Sequence, residues 1–414
     1  MRAEHAPPAF LLNEMTELLP HYQWLAGTEG ATVLSSAQEM RDQGLADLKI
    51  GEVLRRDLDA DVAALVLTQL DLRARAAEKF SRAGEMLFTR AGLEQSTSEA
   101  IATYRADRFR RATRIVELCC GIGGDLIALP CLGIPVVAVD LDPVHLFLAE
   151  HNARLFHPDV DLTPLLMDVR EVEILPSDSV FIDPARRHES GRRTNYLSEP
   201  PVEWSIELAE IAAGVAIKTA PGIPNDYLPE GWEMEHIALK GDLKEAVLWS
   251  PPLAGEFAGY PSGWPHRATV IVNQEAHSFQ GGHMDIIQTV EPQPGQWLHD
   301  VNPAVTNAGM VRDLSAMLPA GMIDPEIGFL VTDHELRTPF TTSWQILKVL
   351  PWHEKRIKQA LTALEIGPID IRRRGLAGDV PTITKRLRGK GNRRALIAMT
   401  RMDDEPTAII CSMD

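Results

Sequence analysis

The run Val116-Glu117-Leu118-Cys119-Cys120-Gly121-Ile122-Gly123-Gly124-Asp125 constrains this chain more than any other stretch. Arg114 to Leu118 has the length and apolar content of a short buried strand, yet it carries an acid, Glu117, that a plain core strand would not bury. Three glycines follow, and after them an apolar run over 126–132 that can make a helix. A strand, a glycine turn and a helix form a cradle for a nucleotide-like ligand, because glycine removes the Cβ that would hold the backbone away. The same pattern also serves as an ordinary tight turn between strand and helix, so residues further along the chain must decide.

A second apolar strand, Val136-Val137-Ala138-Val139-Asp140, ends in an acid 19 residues past Gly121, where such folds hold ribose hydroxyls. A nicotinamide-cofactor fingerprint would place a third glycine where Leu126 stands. Met167-Asp168-Val169 follows a third apolar strand, and Phe181-Ile182-Asp183-Pro184 ends a fourth. This ordered series resembles the class I S-adenosylmethionine-dependent methyltransferases, not the dehydrogenases. The resemblance implies S-adenosylmethionine as cofactor. Gly121 and Gly123 would then face its methionine end, Asp140 its ribose and Asp168 its adenine, with Glu117 and Cys119 completing the set.

With 414 residues the chain is too long for one compact core, and two or three domains are expected. Residues 1–110 read as helical, with apolar residues at helical spacing over 11–19, 31–41 and 60–80. Ser96 and Glu99 fit a capping box that opens a helix through Arg108, which either simply packs on the next domain or has its capped end at the border of the cofactor pocket. Residues 111–275 alternate strand and helix, which predicts a doubly wound, mostly parallel α/β sheet. That pattern includes a helix over 202–213, a fifth strand ending at Lys218, and closing strands over 232–239, 245–249 and 268–272. Lys244 and Glu245 read as a structural pair. In the last part, 290–414, the apolar runs 394–399 and 408–411 read as paired strands of a small α/β unit.

No apolar run approaches the roughly 20 residues needed to span a bilayer. Acids at Glu4 and Glu14 argue against a signal peptide. Cys119, Cys120, Cys131 and Cys411 show no disulfide or zinc spacing, so reduced thiols, a cytoplasmic setting and no metal are expected.

Along nearly its whole length the chain resembles a bacterial family of class I methyltransferases with a carboxy-terminal THUMP-like domain. The resemblance rests on Leu93-Glu94-Gln95-Ser96-Thr97-Ser98-Glu99-Ala100, the glycine turn, Asp183-Pro184-Ala185-Arg186-Arg187, Ile217-Lys218, Gly241-Asp242-Leu243-Lys244-Glu245 and Arg372-Arg373-Arg374-Gly375. It implies an all-helical first domain, a Rossmann-like methyltransferase sheet, and a final domain similar to RNA-binding modules.

Methyl transfer from a sulfonium is an in-line displacement, so the protein chiefly orients two reactants and removes a proton. The candidates for that work are Asp183, Pro184, Arg186 and Lys218, at the ends of the fourth and fifth strands. Asp183 can accept a hydrogen bond or a proton from the acceptor atom. Many base-modifying relatives have a second proline and then an aromatic; here Ala185 and Arg186 stand in those places, and a guanidinium can stack on a base or grip a phosphate. Uracil C5 chemistry needs a nucleophilic cysteine beyond this motif, and past Asp183 the only cysteine is Cys411.

Three functional classes remain open on the residues alone. They are an RNA base methyltransferase, a methyltransferase of a small molecule or protein, and a cofactor-binding module without catalysis. The net charge of −17 disfavours a polyanionic partner at long range. Local charge favours structured RNA, because 371–394 holds nine basic residues (Arg372, Arg373, Arg374, Lys385, Arg386, Arg388, Lys390, Arg393, Arg394) against one acid, Asp379. Gly389 and Gly391 are expected to keep that run conformationally open. Arg186, Arg187, Arg192 and Arg193 make a second basic cluster beside the acceptor candidates.

Overall fold

Two buried side-chain amides tie the helical beginning of the chain to the sheet region. The extended segment around Leu87 and Phe88 belongs to no sheet, so its backbone polar groups need other partners. Gln69 takes both polar groups of Phe88 (2.8 and 3.0 Å), and Asn152 takes both of Leu87 (3.0 Å each) while also donating to Ile122 O at 2.9 Å. A computed structural model describes residues 9–186, 198–255, 265–281 and 289–413; for 9–16 and for 186 it describes the backbone alone. The chain forms two compact units, Met1–Glu233 with Val247–Gly255, and Met234–Ala246 with Glu256–Asp414.

The first unit begins with α1 (Ala9–Ala26), α2 (Thr28–Asp42), α3 (Asp47–Leu54), α4 (Ala60–Ala76), α5 (Arg90–Gln95) and α6 (Glu99–Ala106). Their apolar faces supply Leu25, Leu34, Ile50, Val66 and Leu70 to a core that also takes in Ile122 and Ile127, after the glycine turn. Next come β1 (Arg114–Leu118), β2 (Val136–Asp140), α7 (Pro143–Phe156), β3 (Leu162–Leu166) and β4 (Asp178–Ile182). A two-residue pair, β5 (Ala185–Arg186) and β6 (Ser198–Glu199), precedes α8 (Val202–Glu207) and β7 (Gly214–Thr219). Five strands lie in the order β7-β4-β1-β2-β3, all parallel. The expected parallel α/β sheet is therefore present, and its inner strands β1, β2, β4 and β7 are largely buried, whereas the edge strand β3 is only partly buried.

Three local expectations are corrected. Residues 126–132 form no α-helix: turns run to 128 and a 3-10 helix covers Leu129–Leu132, where Pro130 lacks the N–H a longer helix would need. The Ser96–Glu99 capping box does not form. Ser96 Oγ donates to Leu93 O at 3.0 Å, Glu99 accepts from Ser81 N (2.6 Å) and Oγ (2.9 Å), and α6 starts from Ser98 and stops at Ala106. The helix expected over 202–213 is one short α-helix followed by a 3-10 turn at Leu208–Glu210.

Next in the chain come β8 (Glu233–Leu239), β9 (Asp242–Trp249, which passes into the first unit at Val247), β10 (His266–Val272) and β11 (Glu275–Gln280), with β10 parallel to β8 and antiparallel to β11. The second unit continues with β12 (Trp297–Val301), α9 (Pro303–Asn307), α10 (Val311–Met317), β13 (Gly321–Met322), β14 (Phe329–Thr332) and β15 (Thr341–Pro351). The chain ends with α11 (Glu354–Ala363), β16 (Ile366–Arg373), α12 (Val380–Leu387), β17 (Arg393–Met402) and β18 (Glu405–Ser412). Seven of these strands make one sheet, β13-β14-β12-β15-β18-β17-β16, whose β17–β18 hairpin is the strand pair read from the sequence. Lys244 pairs with Asp242 at 3.3 Å and not with its neighbour Glu245, because adjacent residues of β9 point to opposite faces. Among the described residues, no helix is long and apolar enough to cross a membrane.

Gly389 and Gly391 are not an open stretch. A Cβ on Gly391 would stand 1.8 Å from Glu365 O, and one on Gly389 would stand 2.2 Å from Ile366 O. Gly389 N donates to Gly367 O at 2.9 Å, so these glycines let the chain cross tightly over the start of β16.

Candidate functional site

Register decides which side chains meet. Leu118 pairs with Val139 on one side and Ile182 on the other, Asp140 pairs with Leu166, and Ile182 pairs with Ile217. Cys119, Asp140, Asp183 and Lys218 therefore share the carboxyl edge of the sheet, where open α/β sheets hold their ligands.

The turn after β1 carries Cys119, Gly121 and Gly123 at φ of 60°, 54° and 82°, left-handed values that glycine adopts without strain and cysteine does not. The three glycines differ in purpose. A Cβ on Gly123 would lie 2.9 Å from Ala149 Cα, and one on Gly124 would lie 3.0 Å from Thr97 N, so both permit close packing within the protein. Gly121 faces open space, with no atom of the described residues within 4 Å of its Cβ position, and its N–H donates to Asp140 Oδ2 at 2.8 Å. Asp140 Oδ1 also accepts from Asp142 N at 2.9 Å. Burial raises the Asp140 carboxyl above its usual range, opposed by these backbone hydrogen bonds and by His145.

Asp168 caps the short turn after β3, accepting from Arg170 N at 2.9 Å. Arg170 also pairs with Glu199, which ties β6 to the Asp168 turn. Beside these polar groups, Leu141 and Leu166 are 38% and 57% exposed, an apolar surface at the ends of β2 and β3 that the sequence reading missed. Its only signal was the apolar residue directly after Asp140. The Cys119 thiol is pushed well up by burial and then by Asp140, Asp183 and Asp168, which leaves it a neutral thiol. Cys411 is fully buried in the second unit, its thiol likewise pushed up by burial.

Asp183 and Lys218 meet at 2.5 Å, with side chains 32% and 8% exposed. Lys218 Nζ also donates to Thr97 Oγ1 at 2.9 Å. Thr97 belongs to the segment before α6, and it donates to Asp125 Oδ2 at 2.9 Å while accepting from Arg105 Nη2 at 3.1 Å. Arg105 closes the network by an ion pair with Asp125, and its guanidinium lies 4.7 Å from the centre of the Phe181 ring. Glu117 is fully buried beside this group, and among the described residues its Oε2 has no hydrogen-bond partner. Burial, with Asp125 and Asp183 adding and Arg105 and Lys218 opposing, holds its carboxyl well above the usual carboxylate range. The structure thus brings Glu117, Asp183 and Lys218 together, and adds Thr97, Arg105 and Asp125, to which the sequence alone assigns no role of their own. Pro184 is buried; the backbone of Arg186 pairs with Ser198, and Arg187, His188, Arg192 and Arg193 lie outside the described residues.

In the second unit, the basic run is mostly exposed, with one exception. Arg374 is half-buried, donates to Asp300 Oδ1 and Val301 O at 2.7 Å each, and lies over the Phe329 ring at 5.6 Å. It holds the fold together rather than offering a free cation. Ile383 and Leu387 are buried on one face of α12, which leaves Lys385 and Arg386 outward. Arg386 pairs with Glu354 at 2.8 Å and Arg394 with Asp370 at 3.3 Å. Among the described residues, no three His, Cys, Asp or Glu side chains cluster as metal ligands would.

Comparison with known proteins adds three family matches and a whole-chain likeness. Residues 112–258 match the family described as RNA cap guanine-N2 methyltransferase, 341–413 a THUMP domain-like family, and 19–76 a domain of unknown function. Two Mycobacterium tuberculosis proteins, from strains CDC 1551 / Oshkosh and ATCC 25618 / H37Rv, are each 33% identical over 364 residues, spanning 84% of this chain and 96% of theirs. Both are called uncharacterized S-adenosylmethionine-dependent methyltransferases. A crystal structure from Porphyromonas gingivalis W83, of a protein with a provisional methyltransferase name, superposes with a TM-score of 0.68 at 18% identity, covering 86% of this chain and 92% of that one. At that identity the likeness shows a shared fold.

Proposed function

The chain belongs to the S-adenosylmethionine-dependent methyltransferases, and we propose that it methylates a nucleobase of structured RNA, transfer or ribosomal, by direct in-line transfer. The observation that carries this reading is the Lys218–Asp183 pair, a part-exposed carboxylate fixed by a buried ammonium at the end of β4. Such a carboxylate can take a hydrogen bond from an N–H of the acceptor base and draw off its proton as the new bond forms. The RNA assignment is supported by the descriptions of the families matched at 112–258 and 341–413 and by the exposed cations of 371–394.

Residues of the first unit suit the cofactor. Among the described residues Glu117 Oε2 is a buried oxygen without a protein partner and Gly121 leaves open space, and Asp140 presents a carboxylate already oriented by two backbone N–H groups. In this reading Glu117, Cys119, Gly121 and Gly123 border the methionine end, Asp140 the ribose, and Asp168 with Leu141 and Leu166 the adenine. Bound S-adenosylmethionine supplies a methyl group on a sulfonium. The chain's own part is to orient the acceptor, exclude water and accept a proton at Asp183, with Pro184 stiffening the turn and Arg186 available for a base or phosphate.

Asp140→Ala should weaken S-adenosylmethionine binding by roughly ten- to a hundredfold, the worth of about 1.5–3 kcal/mol for hydrogen bonds to a charged group. Calorimetry alongside circular dichroism checks it, and unchanged affinity in a folded variant would remove Asp140 from the site. The function itself is tested by incubating the protein and labelled S-adenosylmethionine with RNA, protein and small-molecule fractions from cells lacking it. Label should enter RNA; label confined to protein or small molecules would overturn the RNA reading.

A further inference from the structure

We propose that Thr97 is a positioning residue of the acceptor site, its hydroxyl holding the Lys218 ammonium against Asp183. The proposal rests on the reading of Asp183 given above. A hydroxyl has one hydrogen to give and two lone pairs to offer, and Thr97 uses all three. It donates to Asp125 Oδ2 at 2.9 Å and accepts from Lys218 Nζ at 2.9 Å and Arg105 Nη2 at 3.1 Å. Because Asp125 takes the hydrogen, both lone pairs are turned to the two cations. Thr97, Arg105, Asp125 and Lys218 are 5%, 2%, 7% and 7% exposed, so solvent offers little to replace a missing partner.

The segment that delivers this hydroxyl is fixed at several points. Lys79 Nζ donates to Leu93 O at 2.7 Å and Ser96 O at 2.9 Å, and Glu99 is bound by Ser81. Gly124 lacks the Cβ that would collide with Thr97 N. The Lys218–Thr97 hydrogen bond spans 121 residues of sequence and joins the helical beginning of the chain to the end of β7. The helical part thereby supplies a piece of the site rather than standing beside it. Among the described residues, Glu117 and Asp183 also face the network, and neither is seen to bond to the hydroxyl.

Thr97→Val keeps the shape and removes the hydroxyl, whereas Thr97→Ser keeps it. Competitive labelling with acetic anhydride, read on the Lys218 peptide by mass spectrometry, needs no acceptor. Lys218 labelling should rise several-fold in Thr97→Val and return to the parent level in Thr97→Ser. With labelled S-adenosylmethionine and the small-RNA fraction of cells lacking the protein, Thr97→Val should lose about tenfold or more in kcat. Thr97→Ser should recover most of that loss, and calorimetric cofactor affinity should stay within twofold for both. Parental Lys218 labelling in Thr97→Val, or equal losses in the Val and Ser variants, would overturn the proposal. So would a fall in cofactor affinity that accounts for the lost turnover. A parent protein that moves no label into RNA would sink the acceptor reading alone, since the Lys218 labelling still decides whether Thr97 holds that lysine.

Discussion

Asp183→Asn is expected to lower methyl transfer at saturating S-adenosylmethionine by about 10²–10⁴-fold, the usual worth of a positioned general base, while cofactor affinity stays near that of the parent. The amide keeps the size of the carboxylate but loses its basicity and its charge against Lys218. That second loss has its own cost, because Lys218 is 8% exposed and would be left as a buried cation. Removing one partner of a fully buried ion pair costs about 3–5 kcal/mol; Asp183 is a third exposed, so the lower end of that range is the ceiling here. Asp183→Asn with Lys218→Met removes both charges and should recover most of the stability without recovering transfer. Turnover, calorimetric affinity and urea unfolding, measured on the same three proteins, separate the two effects. Transfer restored in the double variant would show that Asp183 serves only to neutralise Lys218. Lost cofactor binding with surviving turnover at saturation would move Asp183 to the cofactor side.

Strands β2, β4 and β7 are legible because each is a short, largely buried apolar run with a charged residue at or next to its end. Asp140, Asp183 and Lys218 could be placed on one edge by reading those ends. The groups that join them were less legible. Thr97, Arg105 and Asp125 meet only after the helical segment folds onto the sheet, and no local period encodes a hydrogen bond across 121 residues. Asp125 closes the glycine-rich stretch in the sequence, and an acid opening an apolar run invites the question of its partner. The capping box at Ser96 and Glu99 failed for a related reason: the spacing was right, but Glu99 found Ser81 and Ser96 turned back to Leu93, so tertiary contacts overrode the local motif. In 126–132, apolar content suggested a helix; Pro130 was the contrary signal, and Ile127 is instead spent on the core shared with the helices. Gly389 and Gly391 were read as freedom, whereas they are the residues that fit where two backbones nearly touch.

Replacing Arg386, Arg388, Arg393 and Arg394 together should flatten the salt dependence of RNA binding and leave cofactor affinity untouched. Each phosphate that is no longer neutralised takes roughly 0.7–0.9 off the slope of log K against log salt, so four such phosphates would take off about 3. The structure tempers that figure, because Arg386 and Arg394 already face Glu354 and Asp370 and would exchange one anion for another. A slope change of about 2–3 is therefore the expected reading, with the deficit largest at low salt. Net charge sharpens the test: a chain of −17 repels a polyanion at long range, so binding must come from a local face and should collapse when that face is neutralised. Arg374 has to be kept out of the set. It holds Asp300, Val301 O and the Phe329 ring, and its loss should appear as lowered thermal stability of the second unit, not as a changed slope. If the quadruple variant binds and methylates RNA with the parent's salt slope, the exposed cations of α12 and the start of β17 are a solvated face, and the RNA grip lies elsewhere on the chain.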